Sequence, residues 1–213
     1  MSIFKAAIFD LDGVLVDTAK YHYFAWKRLA DTLNITFTEE DNERLKGVNR
    51  MKCLDIILEI GGVSLGAEVK LELAEKKNNW YREYIHNMDK SGLLAGAEEY
   101  IHKLKSQGVL TAIGSASKNA KAILTRTGII EAFDVIVDGN MVQNAKPDPE
   151  VFVKCANLLN ITSDKCVVFE DSQAGIAAAK AAGMKTVGIG SEEILCEADF
   201  IFTNMLEVEL PLF

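Results

Sequence analysis

The sequence predicts an α/β fold, a doubly wound parallel sheet (a Rossmann-like core) with an inserted all-α helical cap domain. Two observations lead to this prediction. From residue 92 onward, short apolar runs typical of buried strands alternate with stretches of helical periodicity, and such alternation makes a parallel sheet covered by helices. Before residue 92, long amphipathic stretches follow the first strand without a convincing second one. We therefore predict a core domain (residues 1–16 and 91–213) and a cap domain (residues 17–90).

The predicted strands are short apolar runs, and the first of them opens the chain. They cover residues 5–9, 109–113, 133–137, 166–169, 186–189 and 200–202. The predicted cap helices cover residues 19–33, 39–45, 51–60 and 67–86. Core helices are expected before Gly108, Gly128 and Gly183, because glycine commonly follows the last turn of a helix. Pro147 and Pro149 suit the start of a further core helix with a clear apolar face.

Composition limits the classes of function. With 213 residues, 49% of them hydrophobic, the chain is long enough for one substantial core. Its net charge of -8 argues against nucleic acid and anionic membranes as partners. No stretch reaches the roughly 18 apolar residues of a membrane-spanning helix, and the N-terminal segment is too charged for a signal peptide. The 4 cysteines are widely spaced, as in proteins of a reduced compartment. We predict a cytoplasmic protein and, since nothing indicates an obligate interface, a monomer.

Polar clusters follow the predicted strands at four places. Asp10 and Asp12 end the first strand, where residues i and i+2 of an extended chain share one face. The others are a hydroxyl-rich turn at 115–119, Lys146 beside two prolines, and the acidic pair 170–171. Each alone has an ordinary explanation, such as a solvated acidic turn, a helix N-cap or a surface lysine. Together they indicate a site, because strand ends converge at one edge of a doubly wound sheet.

The charges of these clusters indicate phosphoryl chemistry. Several carboxylates at one place suit Mg²⁺, a hard cation that prefers oxygen ligands and commonly bridges to phosphate. A lysine and hydroxyl donors opposite them would stabilise a transferring phosphoryl group. One of Asp10 and Asp12 would attack phosphorus while the other handles a proton. The sequence has no His-rich cluster and no Walker-type Gly-Lys-Ser/Thr loop, which argues against a transition-metal site and an ATPase.

The four clusters resemble, in the same order, the four signatures of the haloacid dehalogenase-like phosphotransferases. This resemblance implies that Asp10 is the nucleophile that forms an aspartyl-phosphate and that Asp12 is the general acid/base. Ser115 and Lys146 would bind the transferring phosphoryl group, and Lys146 would also offset the clustered negative charge. The implied Mg²⁺ site consists of Asp10, Asp12 (through its backbone carbonyl), Glu170 and Asp171. The helical insertion likewise resembles the α-helical cap of that superfamily.

Within the predicted cap, several residues are candidates for substrate binding. Thr18, His22 and Trp26 lie four residues apart and share one helix face, although core packing of Trp26 and a surface or hinge role of His22 are equally ordinary. Arg50 follows a glycine turn; an arginine there is commonly solvated, but its guanidinium suits bidentate phosphate binding. Lys77 stands in a charged run whose simplest interpretation is an exposed face.

These cap segments, together with the hydroxyl-rich turn, resemble the hexose phosphomutases of the same superfamily. The segments that carry the resemblance are 17–26, 45–50, 76–78, 115–119 and 170–176. The resemblance implies that Arg50, Ser117 and Asn119 hold the phosphate that is not transferred.

The same resemblance assigns roles to further cap residues. His22 and Lys77 would help close the cap and orient Asp12, with Thr18 at the hinge. The residues implied to line the sugar site are Trp26, Leu45, Gly47, Val48 and Ala116.

The implied activity is the interconversion of β-D-glucose 1-phosphate and glucose 6-phosphate through an aspartyl-phosphate and a 1,6-bisphosphate. The expected partners are therefore sugar phosphates, namely a hexose 1-phosphate and a hexose 1,6-bisphosphate. The nearest alternative is a sugar-phosphate phosphatase with the same core, which would release inorganic phosphate. An alternative from another class is a phospho-accepting signalling receiver, but receivers are near half this length and lack a helical cap after the first strand.

Overall fold

The chain folds around a six-stranded parallel sheet with the strand order β3-β2-β1-β4-β5-β6. The computed structural model describes residues 4–46 and 48–209. Its strands are β1 (Ala6–Phe9), β2 (Leu110–Gly114), β3 (Val135–Val137), β4 (Cys166–Glu170), β5 (Lys185–Ile189) and β6 (Phe200–Phe202). Its α-helices are α1 (Ala19–Thr32), α2 (Glu39–Glu43), α3 (Arg50–Ile60), α4 (Ala67–Ile85), α5 (Ala97–Ser106), α6 (Ala120–Arg126), α7 (Glu150–Leu159), α8 (Gln173–Ala181) and α9 (Glu192–Leu195). The predicted α/β fold class is confirmed.

Strand β1 lies in the middle of the sheet and is buried on both faces. Ile8 belongs to the hydrophobic cluster that includes Phe152 of α7, whereas Phe9 belongs to the cluster on the other face, which includes Ile101 of α5. Because both faces are covered, the strand has apolar residues at every position rather than at alternate ones. The uninterrupted apolar run in the sequence is thus explained.

The register of the sheet brings the polar strand ends together. Phe9 is level with Ile113 of β2 on one side and with Phe169 of β4 on the other. Because β1 connects to neighbours on opposite sides, the strand order reverses here, and a crevice opens beyond the carboxyl ends. Asp10 and Glu170 therefore stand at the same edge of the sheet.

Helices α1 to α4, the cap helices, lie between β1 and β2 in the chain and have a hydrophobic cluster of their own, which includes Trp26, Leu54 and Ile57. The two connections to the sheet run side by side: the Leu94 N–H donates to the Leu15 carbonyl (2.9 Å), and the Asp17 N–H donates to the carbonyl of Gly92 (3.0 Å). The division into domains at residues 17 and 90 stays a prediction.

A few element ends differ from the prediction. Helix α7 begins at Glu150 with Pro149 as its N-cap, directly after the two prolines. Strand β3 begins only at Val135, because the Asp134 carboxylate accepts a hydrogen bond from the Thr111 N–H (2.8 Å) at the adjoining position. The sequence gives no signal for the four-residue helix α9. Among residues 4–46 and 48–209, no helix combines the length and apolar character that a membrane crossing requires.

Candidate active site

Asp10 follows β1 directly and is held at the sheet edge by its own backbone. Its N–H donates to the Phe169 carbonyl of the neighbouring strand (2.9 Å), and the residue is 5% exposed. Gly13 then turns the chain with a φ of 84°. A Cβ at this position would lie 2.1 Å from Oδ2 of Asp171, so the turn requires glycine for its conformation and for space. The close approach places the Asp171 carboxylate beside the Asp10–Asp12 turn.

Lys146 bridges two carboxylates, Asp10 after β1 and Glu170 at the end of β4. Its Nζ donates to Oδ1 of Asp10 (2.6 Å) and to Oε1 of Glu170, and all three side chains are buried. The other oxygen of Glu170 accepts from the N–H (3.0 Å) and hydroxyl (2.8 Å) of Ser172. A Cβ at Gly175 would lie 1.9 Å from the Glu170 carboxyl group, so helix α8 needs glycine there to accept this side chain. Glu170 is thereby fixed at both oxygens.

Electrostatics shows that this edge is short of positive charge. Burial raises the pKa of Asp10 to about 7, with Lys146 opposing and Glu170 and Asp12 adding to the rise. Burial also raises the pKa of Asp171 well above its usual value, and Glu170 and Asp10 act in the same direction. Crowded carboxylates of this kind are stabilised in their ionised form by a nearby cation.

The donor set at this edge fits a divalent cation. Within the part of the chain that the structure describes, no three acidic, histidine or cysteine side chains already surround one point. The fit therefore rests on donor chemistry: Asp10 and Asp171 offer carboxylate oxygens with raised pKa values, and such hard oxygen donors are what Mg²⁺ prefers. The two Glu170 oxygens are already engaged by Lys146 and Ser172.

Asp12 connects the sheet edge to the cap helices. The hydroxyl of Thr18, the N-cap of α1, donates to Oδ1 of Asp12, and Nε2 of His22 lies 3.9 Å from the same oxygen. Nδ1 of His22 is in turn 3.0 Å from Nζ of Lys77. An ammonium group only donates, so a charged Lys77 assigns the ring proton of His22 to Nε2, which faces Asp12.

Asp12, His22 and Lys77 are linked by these contacts, and burial shifts the pKa of each of them. Burial raises the pKa of Asp12, while the hydrogen bond from Thr18 opposes the rise. Burial lowers the pKa of Lys77 to about 7, and burial with the Lys77 charge lowers that of His22 well below its usual value. His22 is therefore neutral at pH 7. Lys77 Nζ lies 4.4 Å from the ring centroid of Trp26 and 4.9 Å from that of Tyr81, so aromatic faces partly replace its lost hydration.

The hydroxyl-rich turn lies between β2 and α6 and forms a chain of local hydrogen bonds. The Ser117 N–H donates to the Ser115 hydroxyl oxygen (3.0 Å), and the Asn119 N–H donates to that of Ser117 (3.2 Å). Nδ2 of Asn119 donates across to Oδ1 of Asn78 in helix α4 (3.1 Å). The turn thus contacts the cap helices directly.

Arg50 stands at the start of helix α3 and pairs with an acid. The Asn49 side chain caps the helix by accepting from the Lys52 N–H (2.9 Å). Nη1 of Arg50 lies 3.2 Å from Oε2 of Glu75 in helix α4.

A cavity of about 380 Å³ separates the cap helices from the sheet edge. Thr18, Lys146 and Glu170 lie behind its wall, and Gly47 lies outside the described residues. All other residues predicted for the site line the cavity. Their proximity is observed, whereas their individual roles stay predictions.

The site also contains polar residues to which the sequence analysis assigns no role, among them Lys46, Glu75, Asn78 and Tyr81. Lys46 Nζ lies 3.9 Å from the Asp171 carboxylate, and Tyr81 is fully buried with its ring centroid 4.0 Å from that of His22. A signal for Asn78 and Tyr81 exists in the sequence. Positions 74, 77, 78 and 81 follow helical spacing and are buried, so the charged run contains a buried face rather than only an exposed one.

Comparison with known proteins defines the class. The chain belongs to the haloacid dehalogenase-like hydrolase family, whose model matches residues 7–189. It is 40% identical over 211 residues to the β-phosphoglucomutase of Bacillus subtilis (strain 168), which covers 98% of this chain and 93% of that protein. A crystal structure of β-phosphoglucomutase from Clostridium difficile matches with a TM-score of 0.93 at 40% identity, over 97% of this chain and 93% of that one.

A hydrolytic relative is also similar. The chain is 33% identical over 186 residues to a phosphorylated carbohydrates phosphatase of Thermotoga maritima, over 86% of this chain and 83% of that protein. The family resemblance found in the sequence is thus confirmed, and the receiver-domain alternative finds no support.

Proposed function

We propose that the protein is a β-phosphoglucomutase, which interconverts β-D-glucose 1-phosphate and glucose 6-phosphate. The observation that carries the proposal is a cavity lined by two groups of side chains that are suited to binding phosphate. Asp10 and Ser115 line it at the sheet edge, Arg50 lines it from cap helix α3, and Ser117 and Asn119 line it from the core turn that contacts helix α4. A substrate with phosphates at both ends would fill both. The similarity to two β-phosphoglucomutases over nearly the whole chain supports the same activity.

In the first half-reaction, the phosphoryl group of phospho-Asp10 passes to the 6-hydroxyl of β-glucose 1-phosphate. The sugar oxygen forms a bond to phosphorus while the bond between phosphorus and the Asp10 oxygen breaks, and Asp12 accepts the hydroxyl proton. The product is the 1,6-bisphosphate. During this step, Arg50, Ser117 and Asn119 would hold the 1-phosphate.

In the second half-reaction, the bisphosphate has turned over within the cavity. An Asp10 oxygen attacks the 1-phosphoryl group, the bond between phosphorus and the sugar 1-oxygen breaks, and Asp12 returns its proton to that oxygen. Glucose 6-phosphate leaves, and phospho-Asp10 is restored. Ser115 and Lys146 would hold the phosphoryl oxygens in both halves, with Lys146 supplying the positive charge.

The metal that the family implies fits this site as Mg²⁺. Asp10, Asp171 and the backbone carbonyl of Asp12 would hold it, and when bound it neutralises charge on the phosphoryl oxygens. The role of Lys146 is complementary, because its ammonium already separates the Asp10 and Glu170 carboxylates.

Contacts of Asp12 support its role as proton carrier. Burial raises the pKa of its carboxyl group, which favours proton uptake from a sugar hydroxyl. The Thr18 hydroxyl and the His22–Lys77 pair would set its orientation, and closing the cap helices over sugar would exclude water from phospho-Asp10. We expect the protein to act as a monomer in the cytoplasm.

A sugar-phosphate phosphatase is the second candidate, favoured by the similarity to the carbohydrate phosphatase of Thermotoga maritima. One experiment separates the two. Each anomer of glucose 1-phosphate is supplied with Mg²⁺ and a trace of the 1,6-bisphosphate, and both glucose 6-phosphate and inorganic phosphate are measured. The mutase forms glucose 6-phosphate from the β-anomer with little phosphate release. Rapid phosphate release without glucose 6-phosphate would overturn the proposal.

A further inference from the structure

Glu75 gives the cavity an unexpected negative charge on the side of the cap helices. Its Oε2 lies 3.2 Å from Nη1 of Arg50, and both residues line the cavity. A carboxylate in this position is surprising, since the neighbouring Arg50, Ser117 and Asn119 supply donors for an anion. The Glu75 carboxylate contacts the guanidinium that the proposed function assigns to a phosphate.

A second contact gives the Glu75 carboxylate a further donor. Nδ2 of Asn78 lies 3.5 Å from Oε1 of Glu75, while Oδ1 of Asn78 accepts from Asn119 (3.1 Å). One carboxylate oxygen therefore faces Arg50 and the other faces Asn78, so the group is held by donors at both ends. Through Asn78, the pair also connects to the hydroxyl-rich turn of the core.

The two partners differ in their exposure. The Arg50 side chain is 20% exposed, whereas that of Glu75 is 59% exposed. Burial lowers the pKa of Arg50 and Glu75 opposes this effect, so the guanidinium gains from a nearby anion. Moving the Glu75 carboxylate into water, in contrast, costs little free energy, because exposed ion pairs contribute only weakly to stability. The carboxylate is thus an anion that a ligand displaces easily.

We propose that Glu75 occupies Arg50 in the free enzyme and is displaced by the distal phosphate of a bound sugar phosphate, so that it sets the affinity of this phosphate site. The inference rests on the proposed function, because it takes Arg50 as a group that holds the phosphate that is not transferred. A phosphate carries more charge than a carboxylate and binds guanidinium in a bidentate manner. The phosphate therefore displaces Glu75 from Arg50, but its binding free energy is reduced by the cost of breaking the Arg50–Glu75 pair.

This competition has a consequence for turnover. The bisphosphate must leave Arg50 once in every cycle in order to present its other phosphate to Asp10. A carboxylate ready to replace the departing phosphate lowers the barrier to that exchange. We therefore expect Glu75 to weaken binding of sugar phosphates in the ground state and to speed their release.

The test is a charge series at position 75 in the full chain with Mg²⁺. The dissociation constant of glucose 6-phosphate is measured by calorimetry for the wild type, Glu75→Gln and Glu75→Lys. Binding should tighten about two- to five-fold in Glu75→Gln, the range expected when an exposed ion pair is removed, and further in Glu75→Lys. The matched control is Glu72→Gln, since Glu72 is exposed on the same helix but does not line the cavity; its constant should stay at the wild-type value.

The Arg50→Ala background separates direct competition from a general effect of charge. There, Glu75→Gln should no longer tighten binding, because the contested guanidinium is gone. A tightening that persists in Arg50→Ala, or Glu75→Gln binding no tighter than the wild type, overturns the inference. If Arg50→Ala alone binds glucose 6-phosphate as well as the wild type, the proposed role of Arg50 fails, and the inference fails with it. Weaker binding by Arg50→Ala together with an unchanged Glu75→Gln rejects the role of Glu75 alone.

Discussion

The two sides of the cavity hold their charges in different ways. At the sheet edge, Lys146 is buried between Asp10 and Glu170, and each group is fixed by direct contacts. On the side of the cap helices, Arg50 pairs with a mostly exposed Glu75. Buried pairs are expensive to break, whereas exposed pairs exchange readily with solvent or ligand. The charged groups at the sheet edge are therefore preorganised, whereas the Arg50–Glu75 pair on the side of the cap helices is free to exchange with a ligand.

The largest expected effect tests the buried side. Asp10→Asn should abolish turnover, because an amide does not form the aspartyl-phosphate, while the fold survives since Lys146 keeps its contact with Glu170. Glucose 6-phosphate formation and thermal melting are measured side by side, with Asp164→Asn on the exposed surface as the control. A fully active Asp10→Asn enzyme would refute covalent catalysis at this residue.

Asp12→Asn probes the connection between the two sides. Loss of the proton carrier should slow transfer to sugar by about 10²- to 10⁴-fold, the usual contribution of general acid–base catalysis. Phosphorylation of Asp10 by acetyl phosphate should suffer less, because acetate leaves without needing a proton. Both rates are compared with the wild type by rapid-quench kinetics. Equal losses in both reactions would show that Asp12 has a structural role instead.

Arg50→Ala probes the exposed side. We expect kcat/KM for β-glucose 1-phosphate to fall about 10- to 100-fold, the value of a charge-assisted hydrogen bond to phosphate. Hydrolysis of acetyl phosphate should fall by less, since acetyl phosphate has no distal phosphate. Arg44→Ala is the matched control, because Arg44 is an exposed arginine at the end of α2 that does not line the cavity. Similar losses with both phosphate donors would place Arg50 outside the distal site.

The last expected effect is on stability rather than on activity, and it concerns the pH dependence of unfolding. Lys77 has its pKa lowered to about 7 in the folded protein, below the value of roughly 10.4 for an unfolded chain. Between these values the unfolded state binds more protons, so the Lys77 contribution to stability rises with pH, by at most about 1.4 kcal/mol per unit. Urea unfolding of the wild type and of Lys77→Met from pH 6 to 10 measures the difference.

Below pH 7, Lys77 is protonated in both states, so the difference in unfolding free energy between the two proteins should be flat. A constant difference across the whole range would contradict the lowered pKa and would mean that Lys77 is hydrated in the free enzyme. Lys77 would then be hydrated like the Arg50–Glu75 pair and not dry like Lys146 at the sheet edge.

Much of the core side follows from sequence pattern. Apolar runs indicate the strands, and the carboxyl ends of parallel strands lie at the same edge of the sheet. The convergence of Asp10 and Glu170 is therefore predictable from the sequence. The contacts on the side of the cap helices are harder to predict. Arg50 and Glu75 are 25 residues apart, and Asn78 and Asn119 are 41 residues apart. No local pattern relates such pairs, because their contact depends on how α3, α4 and the core turn pack.

The class of fold, the polar strand ends and the residue types that phosphoryl chemistry needs can all be read from the sequence alone. Periodicity and turn preference act over a few residues, so these features are encoded locally. Three other features depend on the folded structure: Lys146 contacts both Asp10 and Glu170, Lys77 is buried against Trp26 and Tyr81, and Glu75 faces Arg50. Burial and charge pairing depend on neighbours brought together by packing, and packing involves the whole chain.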